Sequence, residues 1–107
     1  MILIKYNSSD TQQWLVTYNG TGNTFDSGAD LYVDGSGNVY MTGSGYNASG
    51  NTDVITLKYN SSGTQQWVKY LNYNGNNDAG VKIAPYGSYV IVAVIAQYNT
   101  NSYYYGL

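Results

Sequence analysis

A ten-residue segment of this chain occurs twice. KYNSSDTQQW at Lys5–Trp14 returns as KYNSSGTQQW at Lys58–Trp67, and nine of the ten residues are identical. The one difference is Asp10 in the first copy against Gly63 in the second. In a chain of 107 residues, a repeat at this spacing predicts two copies of one structural unit.

The repeated segment has the pattern of a β-hairpin. Every second residue of its first strand is apolar: Ile2, Ile4 and Tyr6 in one copy, and Ile55, Leu57 and Tyr59 in the other. Each strand is followed by Asn-Ser-Ser and then Asp or Gly, residues that accept the positive φ of a tight turn. Trp14 and Trp67 then occupy matching places on the strand after the turn.

Composition favours strands over helices throughout the chain. Tyr (14 residues) and Gly (13) are abundant, whereas the strong helix formers Glu and Arg are absent. Further strands are predicted in GADLYVD and NVYMTG, between the two hairpins, and in GVKIAP and SYVIVAVIAQY, after the second hairpin. One period of the repeat is therefore predicted to be four antiparallel strands, without any helix.

The segments ITLKYNSSGTQQW and DLYVDGSGNVYMTG resemble the bacterial and archaeal β-propeller repeat family known as SBBP. The resemblance covers nearly the whole chain in two copies. It implies an all-β fold of antiparallel four-stranded propeller blades, two per chain, in extracellular or cell-surface proteins whose repeats are not enzymes. The second copy departs from the pattern where the turn DGSGN becomes PYGS and where the final strand becomes continuously apolar.

On this reading the chain is a single repeat module, 1–107, that begins and ends within a blade. We predict the outer hairpin of a split blade at 2–18, a complete blade at 26–71, the inner hairpin of a split blade at 78–96, and a Tyr-rich tail strand at 97–107. A closed propeller needs about four to eight blades, and unpaired strand edges favour association. We therefore expect copies of the chain to complete one another, either in a closed ring or in a filament.

Two questions about this assembly stay open at the level of sequence. The apolar strand Tyr89–Ala96 is hydrophobic on both faces and requires burial on both sides. It is either an ordinary inner strand between neighbouring blades or a specialised contact between subunits. The tail aligns with the strand ITLKY, a place also expected for the first strand of another copy, so it adds a strand, caps a neighbour or binds elsewhere.

The expected contact between copies involves the first strand, the apolar strand and the tail, since Tyr is enriched where partners meet. The predicted interface residues are Ile2, Ile4, Tyr6, Tyr89, Ile91, Val92, Val94, Tyr103, Tyr104 and Tyr105.

Few residues of the chain are suited to catalysis. Charged residues make up 9% of the sequence, and Arg, Glu, His and Cys are all missing. Nucleophile–base pairs and metal-bound hydroxide rely mostly on these residue types. We therefore predict a non-enzymatic protein with no catalytic residue, no cofactor and no metal site.

The same composition bears on partners and location. A net charge of −2 without Arg argues against a nucleic acid partner, and no apolar segment is long enough for membrane insertion. Met1 is followed directly by ILIKY without the pattern of a signal peptide. The expected extracellular or cell-surface location therefore depends on the family resemblance alone.

Several aspartates lie in patterns that are found in calcium loops, catalytic carboxylate pairs or turns. Asp34, Ser36 and Asn38 alternate as at the start of a calcium loop, but Gly45 stands where such a loop needs a carboxylate, and hairpin turns prefer the same residues. Asp26 and Asp30 would lie too far apart along a strand for a catalytic pair of carboxylates. Asp26 and Asp78 occupy matching positions, and we expect both to accept hydrogen bonds from turn N–H groups.

The two tryptophans and the turns suggest an alternative function. Trp14 and Trp67 are predicted to be core residues of the repeat, packing between neighbouring units. If these rings instead form stacking platforms for sugars, the protein is a lectin-like propeller with glycans as partners. Glycosylation sequons lie in predicted turns and begin at Asn7, Asn19, Asn47 and Asn60.

Overall fold

The computed structural model describes residues 1–98 together with the backbone of 104–106. This part of the chain forms nine β-strands and no α-helix, and so contains no helix long and apolar enough to cross a membrane. The strands are β1 (Ile2–Tyr6), β2 (Gln12–Thr17), β3 (Asp26–Val33), β4 (Val39–Tyr46), β5 (Thr52–Tyr59), β6 (Gln65–Leu71), β7 (Asp78–Tyr86), β8 (Tyr89–Gln97) and β9 (Tyr104–Gly106). The all-β prediction is confirmed.

The described strands form three antiparallel sheets. The N-terminal sheet has the order β1-β2, the central sheet β3-β4-β5-β6, and the C-terminal sheet β7-β8-β9. Within each sheet, strands that follow one another in the chain are hydrogen-bonded neighbours. The predicted four-stranded antiparallel unit is present as the central sheet.

The internal repeat of the sequence is also a repeat of strand register. In the hairpin β1–β2 the pairing shifts after Lys5, and in β5–β6 it shifts after Lys58. The hairpins β3–β4 and β7–β8 likewise share a bulge, after Gly28 and Gly80 respectively. Strand pairing and bulge positions therefore match between the two copies of each hairpin.

The core lies between the N-terminal sheet and one face of the central sheet. The buried cluster consists of Leu3, Val39, Met41, Ile55, Leu57 and Tyr59, with Met1, Trp14, Val16, Tyr18 and Val68 packed partly buried against it. The central-sheet members of the buried cluster are alternate residues on β4 and β5. The predicted period-two pattern of ITLKY is thus used to build this core.

The C-terminal sheet covers the opposite face of the central sheet through β7. Gly80 lies so close to Thr42 that a Cβ at Gly80 would overlap the threonine Oγ1. The backbone N–H of Ile83, in β7, donates to Asp30 Oδ2 at 3.0 Å. Just before β7, Asn77 Oδ1 accepts the backbone N–H of Thr52 at 2.9 Å. The central sheet is therefore enclosed between the other two.

Candidate functional site

Four hairpin turns of the chain use the same side-chain device. An Asn or Asp oxygen at the first position accepts the backbone N–H groups two and four residues later. The first-position residues are Asn7, Asp34, Asn47 and Asn60, and the matching positive-φ residues are Asp10, Gly37, Gly50 and Gly63. Three of the four sequon asparagines therefore help to hold the turns.

The candidate calcium loop belongs to this group of turns. Asp34 Oδ1 accepts the N–H groups of Ser36 and Asn38, and its Oδ2 accepts the Asn38 side-chain amide at 2.9 Å. These hydrogen bonds, led by that of the Asn38 side chain, lower the pKa of Asp34. The Asp34 carboxylate thus stabilises the turn. A role in a hairpin turn was the alternative to a calcium loop that the sequence favoured.

The matching aspartates Asp26 and Asp78 have the predicted structural role. Asp26 Oδ2 accepts the backbone N–H of Gly20 at 2.8 Å, and Asp78 Oδ2 accepts that of Tyr73 at 2.6 Å. Asp78 is fully buried, and its Oδ1 has no hydrogen-bond partner in the described part of the chain. Burial, more than any other cause, raises the pKa of Asp78.

Trp14 is half-buried and packs against the core cluster between the N-terminal and central sheets. Its indole N–H donates to the carbonyl of Ser61 at 3.0 Å, in the turn between β5 and β6. The ring also lies directly over Gly63, where a Cβ would come within 2.9 Å of Trp14 Cδ2. One face of this ring is therefore occupied by protein, which leaves it poorly suited to stacking on a sugar.

Trp67 has the matching position in the second hairpin but different surroundings. It is half-buried, and its ring centroid lies 6.2 Å from that of Tyr40, which stacks on Tyr32 at 4.7 Å. Lys58 pairs with both Tyr40 and Trp67, so these side chains share one face of the central sheet, the face toward β7. Among the described residues, the Trp67 indole N–H has no acceptor corresponding to Ser61.

The N-terminal sheet exposes the predicted interface residues of β1. Ile2 is 61% exposed, Ile4 40% and Tyr6 57%. They lie on the side of the hairpin that faces away from the core, and β1 pairs only with β2 in the described structure. This strand therefore offers both an apolar face and a free edge.

The apolar strand β8 is covered on one side only. Val92 and Val94 are half-buried, whereas Tyr89 is 70% exposed and Ile91 54%. A neighbouring chain could therefore reach the backbone edge at Val92 and Val94 more readily than their side chains. The alternating sequence pattern did not distinguish these two residues from the exposed Tyr89 and Ile91.

The free edge of β8 is partly paired by the tail. β9 pairs with Ile95, Ala96 and Gln97, and no described strand pairs with 89–94 on that side. Tyr104 and Tyr105 belong to β9, where only their backbone is described, and Tyr103 lies outside the described residues.

An open apolar groove lies beside β1, over the adjacent part of the central sheet. Its lining includes Leu3, Leu31, Val33, Val39 and Met41. Leu31 is 46% exposed and Val33 is 56% exposed. The alternation of the segment LYVD places Leu31 and Val33 on one face, but the sequence alone does not show that this face is exposed.

Comparison of the sequence with models of known families gives no match, and comparison with curated proteins gives none either.

Proposed function

We propose that this chain is a non-enzymatic structural module that assembles with copies of itself by strand complementation. In this assembly, β1 and β2 of one copy complete the sheet that β7 and β8 of the preceding copy begin. The observation that carries the proposal is the free edge of β8. The tail strand β9 pairs with the last three residues of β8, and no described strand pairs with residues 89–94 on that side.

The pairing of β4 with β5 supplies the template for that register. Gly43 pairs with Gly28, and Val94 pairs with Gly80, so Val94 takes the place of Gly43 in the second copy of the repeat. Gly43 also pairs with Ile55, the residue that corresponds to Ile2.

The repeat then predicts each pair across the junction between copies. Ile2 of one copy faces Val94 of another, Ile4 faces Val92, and Tyr6 faces Val90. These three pairs fill the part of the β8 edge that lies beyond β9.

The tail and the incoming strand meet at one residue of β8. Ile95 pairs with Gly106, whereas the template pair Ser44–Val54 places Met1 of the incoming copy opposite the same Ile95. The tail of one copy and the first strand of another would therefore lie along the same edge of β8, and Gly106 would have to give way to Met1 where they meet. This arrangement supports the first of the three alternatives that the sequence left open.

The exposed apolar faces fit the same arrangement. When β8 lies beside β1 of the next copy, its exposed face with Ile91 covers the groove formed by Leu31 and Val33 of that copy. The outward face of β1, with Ile2 and Ile4, then covers the third and fourth strands of the preceding central sheet. Burial of one such side chain is worth about 1.5 to 3 kcal/mol, so the faces together favour association.

Each copy would contribute two different surfaces, so the contact is head-to-tail. Such contacts close into a ring when the rotation between copies permits it and otherwise form a filament. If each completed sheet is a propeller blade, a ring of three or four chains has six or eight blades. The carbohydrate-binding alternative and the extracellular location stay predictions, and the mainly aliphatic groove suits a strand pair better than a sugar.

The native mass of the purified chain, measured by light scattering coupled to size exclusion, tests the proposal. A discrete species of three or four chains, or a filament, is the expected result. A monomer at all concentrations up to hundreds of micromolar would refute self-assembly.

Two surface variants test the geometry of the contact. Ile4→Lys disables the β1 surface and Ile91→Lys disables the β8 surface, while each leaves the other surface intact. Each variant alone is expected to be a monomer, and a mixture of the two is expected to stop at a two-chain complex. Phe25→Lys is the matched control, because Phe25 is 68% exposed but lies in the loop before β3, and it should assemble like the parent chain.

A further inference from the structure

The two copies of the decapeptide differ only at Asp10 and Gly63, and Gly63 lies beneath the ring of Trp14. Within one chain, the Trp14 ring lies on the turn between β5 and β6, with its N–H bonded to Ser61 O and its face over Gly63. Gly63 has a φ of 82°. A side chain at this position would bring its Cβ within 2.9 Å of Trp14 Cδ2 and 3.0 Å of Cγ, closer than packed atoms normally approach.

The repeat places an equivalent contact between copies. Trp67 occupies the position of Trp14 one unit later, and its indole N–H has no acceptor among the described residues. In the assembly proposed above, on which this step rests, the turn beside Trp67 belongs to the next copy. That turn is Asn7–Asp10, with the carbonyl of Ser8 in the place of Ser61.

The turn Asn7–Asp10 has the shape needed to receive Trp67. Asn7 Oδ1 accepts the N–H groups of Ser9 and Thr11, as Asn60 does in the other hairpin, and Asp10 has a φ of 63°. The difference is chemical, because Asp10 carries a Cβ and a carboxylate where Gly63 has neither. Among the four turns built on this device, the other three have Gly at this position.

We infer that Trp67 of one copy docks on the turn Asn7–Asp10 of the next, and that Asp10 keeps this contact looser than the contact between Trp14 and Gly63. The Asp10 side chain occupies the space that the ring takes within a chain, so the ring must sit farther from the turn. Asp10 thereby limits the affinity between copies. The two copies of the decapeptide are otherwise identical, so Asp10 against Gly63 is the one difference within the segment that carries both the ring and the turn.

Asp10→Gly converts the junction between copies into the form found within a chain, and tests the inference directly. We expect the dissociation constant between copies, measured by analytical ultracentrifugation, to fall by about tenfold or more, as when an overpacked contact is relieved. Asp10→Asn retains the Cβ and removes the charge, so it should give much less of this gain. An Asp10→Gly constant equal to that of the parent chain would overturn the inference.

A glycine at a positive φ also stabilises a turn by itself, and a control separates this effect. Asn74 has a φ of 61° in a different loop, so Asn74→Gly relieves the same backbone cost away from the junction. It should leave the dissociation constant unchanged. If Asn74→Gly tightens association as much as Asp10→Gly, the gain comes from the backbone and the inference is wrong.

Double variants that combine Asp10→Gly with a substitution of Trp67 test whether Asp10 faces Trp67. In a Trp67→Leu chain, Asp10→Gly should lose its effect on association, because the ring that it accommodates is gone. If the leucine variant does not fold, Trp67→Phe replaces it, and its smaller ring should reduce the gain from Asp10→Gly. A full gain in both backgrounds would show that Asp10 does not face Trp67, whereas a parent chain that never associates would refute the assembly itself.

Discussion

The two hairpins built from the repeated decapeptide have nearly the same sequence and the same bulge, but very different surroundings. Ile55 is 1% exposed and Tyr59 is 3% exposed, whereas the matching Ile2 and Tyr6 are 61% and 57% exposed. β5 lies inside a four-stranded sheet between two other sheets, and β1 is an edge strand with one outward face. Burial is therefore set by the neighbours of a strand and not by its sequence.

β1 has an apolar pattern on its exposed outward face although it is an edge strand. An edge strand that faced water permanently would gain solubility from charged residues, as natural edge strands do. The outward residues of β1 are instead as apolar as those of β5. In the proposed assembly, a second copy of the chain would be the neighbour that makes the two hairpins alike.

Substitution of the matching isoleucines should produce the largest contrast. Ile55→Ala removes a fully buried side chain and is expected to lower the free energy of unfolding by about 2 to 5 kcal/mol. Ile2→Ala, the identical change in the other hairpin, should cost less than about 0.5 kcal/mol in the monomer. Urea denaturation below the concentration of association measures both.

The same pair of variants gives a second readout at higher concentration. There Ile2→Ala should weaken association while leaving the unfolding of the monomer unchanged. An Ile2→Ala monomer as unstable as Ile55→Ala would show that β1 is already buried within one chain.

The bulge glycines form a second matched pair, with a smaller expected difference. A Cβ at Gly80 would overlap Thr42, which is buried and hydrogen-bonded to the carbonyl of Ile55, so it cannot move easily. A Cβ at Gly28 would instead meet the terminal methyl group of Met41 at 2.9 Å, and that flexible side chain can turn aside. Gly80→Ala should therefore cost about 1 to 3 kcal/mol, and Gly28→Ala clearly less, by thermal or urea unfolding; equal costs would mean that the two sheet contacts are equally tight.

Much of the fold follows from local patterns in the sequence. The alternation of Ile55, Leu57 and Tyr59 predicts a strand with one core face, and the turn Asn60–Gly63 predicts a hairpin at the observed place. The role of Asp26 and Asp78 was also predictable, because matching aspartates next to loops commonly accept backbone N–H groups. These features depend on residues close together in the chain.

Other features depend on contacts between distant residues, and the sequence did not reveal them. The covered side of β8 is decided by the approach of β7 to Thr42, so the alternation in Tyr89–Ala96 alone did not separate Val92 from Ile91. The groove at Leu31 and Val33 exists because the N-terminal sheet has two strands where the central sheet has four. The place of the tail depends on strand register, which period-two patterns do not define.

The matching aspartates Asp26 and Asp78 should show the smallest difference, which is measured as a change in the free energy of unfolding with pH. Because burial raises the pKa of Asp78, the folded chain retains a proton that the unfolded chain releases near its ordinary pKa of about 3.9. Asp78 therefore costs no stability below that pH, and its cost grows as the pH rises from there to the pKa of the folded chain.

Asp78→Asn removes this titration and tests its sign. Its stability relative to the parent chain should be lowest in acid and should improve as the pH rises toward neutrality, with Asp26→Asn as the matched control at the equivalent position. Urea denaturation of monomers from pH 3 to pH 7 measures the difference. A relative stability of Asp78→Asn that worsens with pH would mean that the native chain holds Asp78 as a stabilised carboxylate, and its unpartnered Oδ1 would then need a donor or cation from outside the described residues.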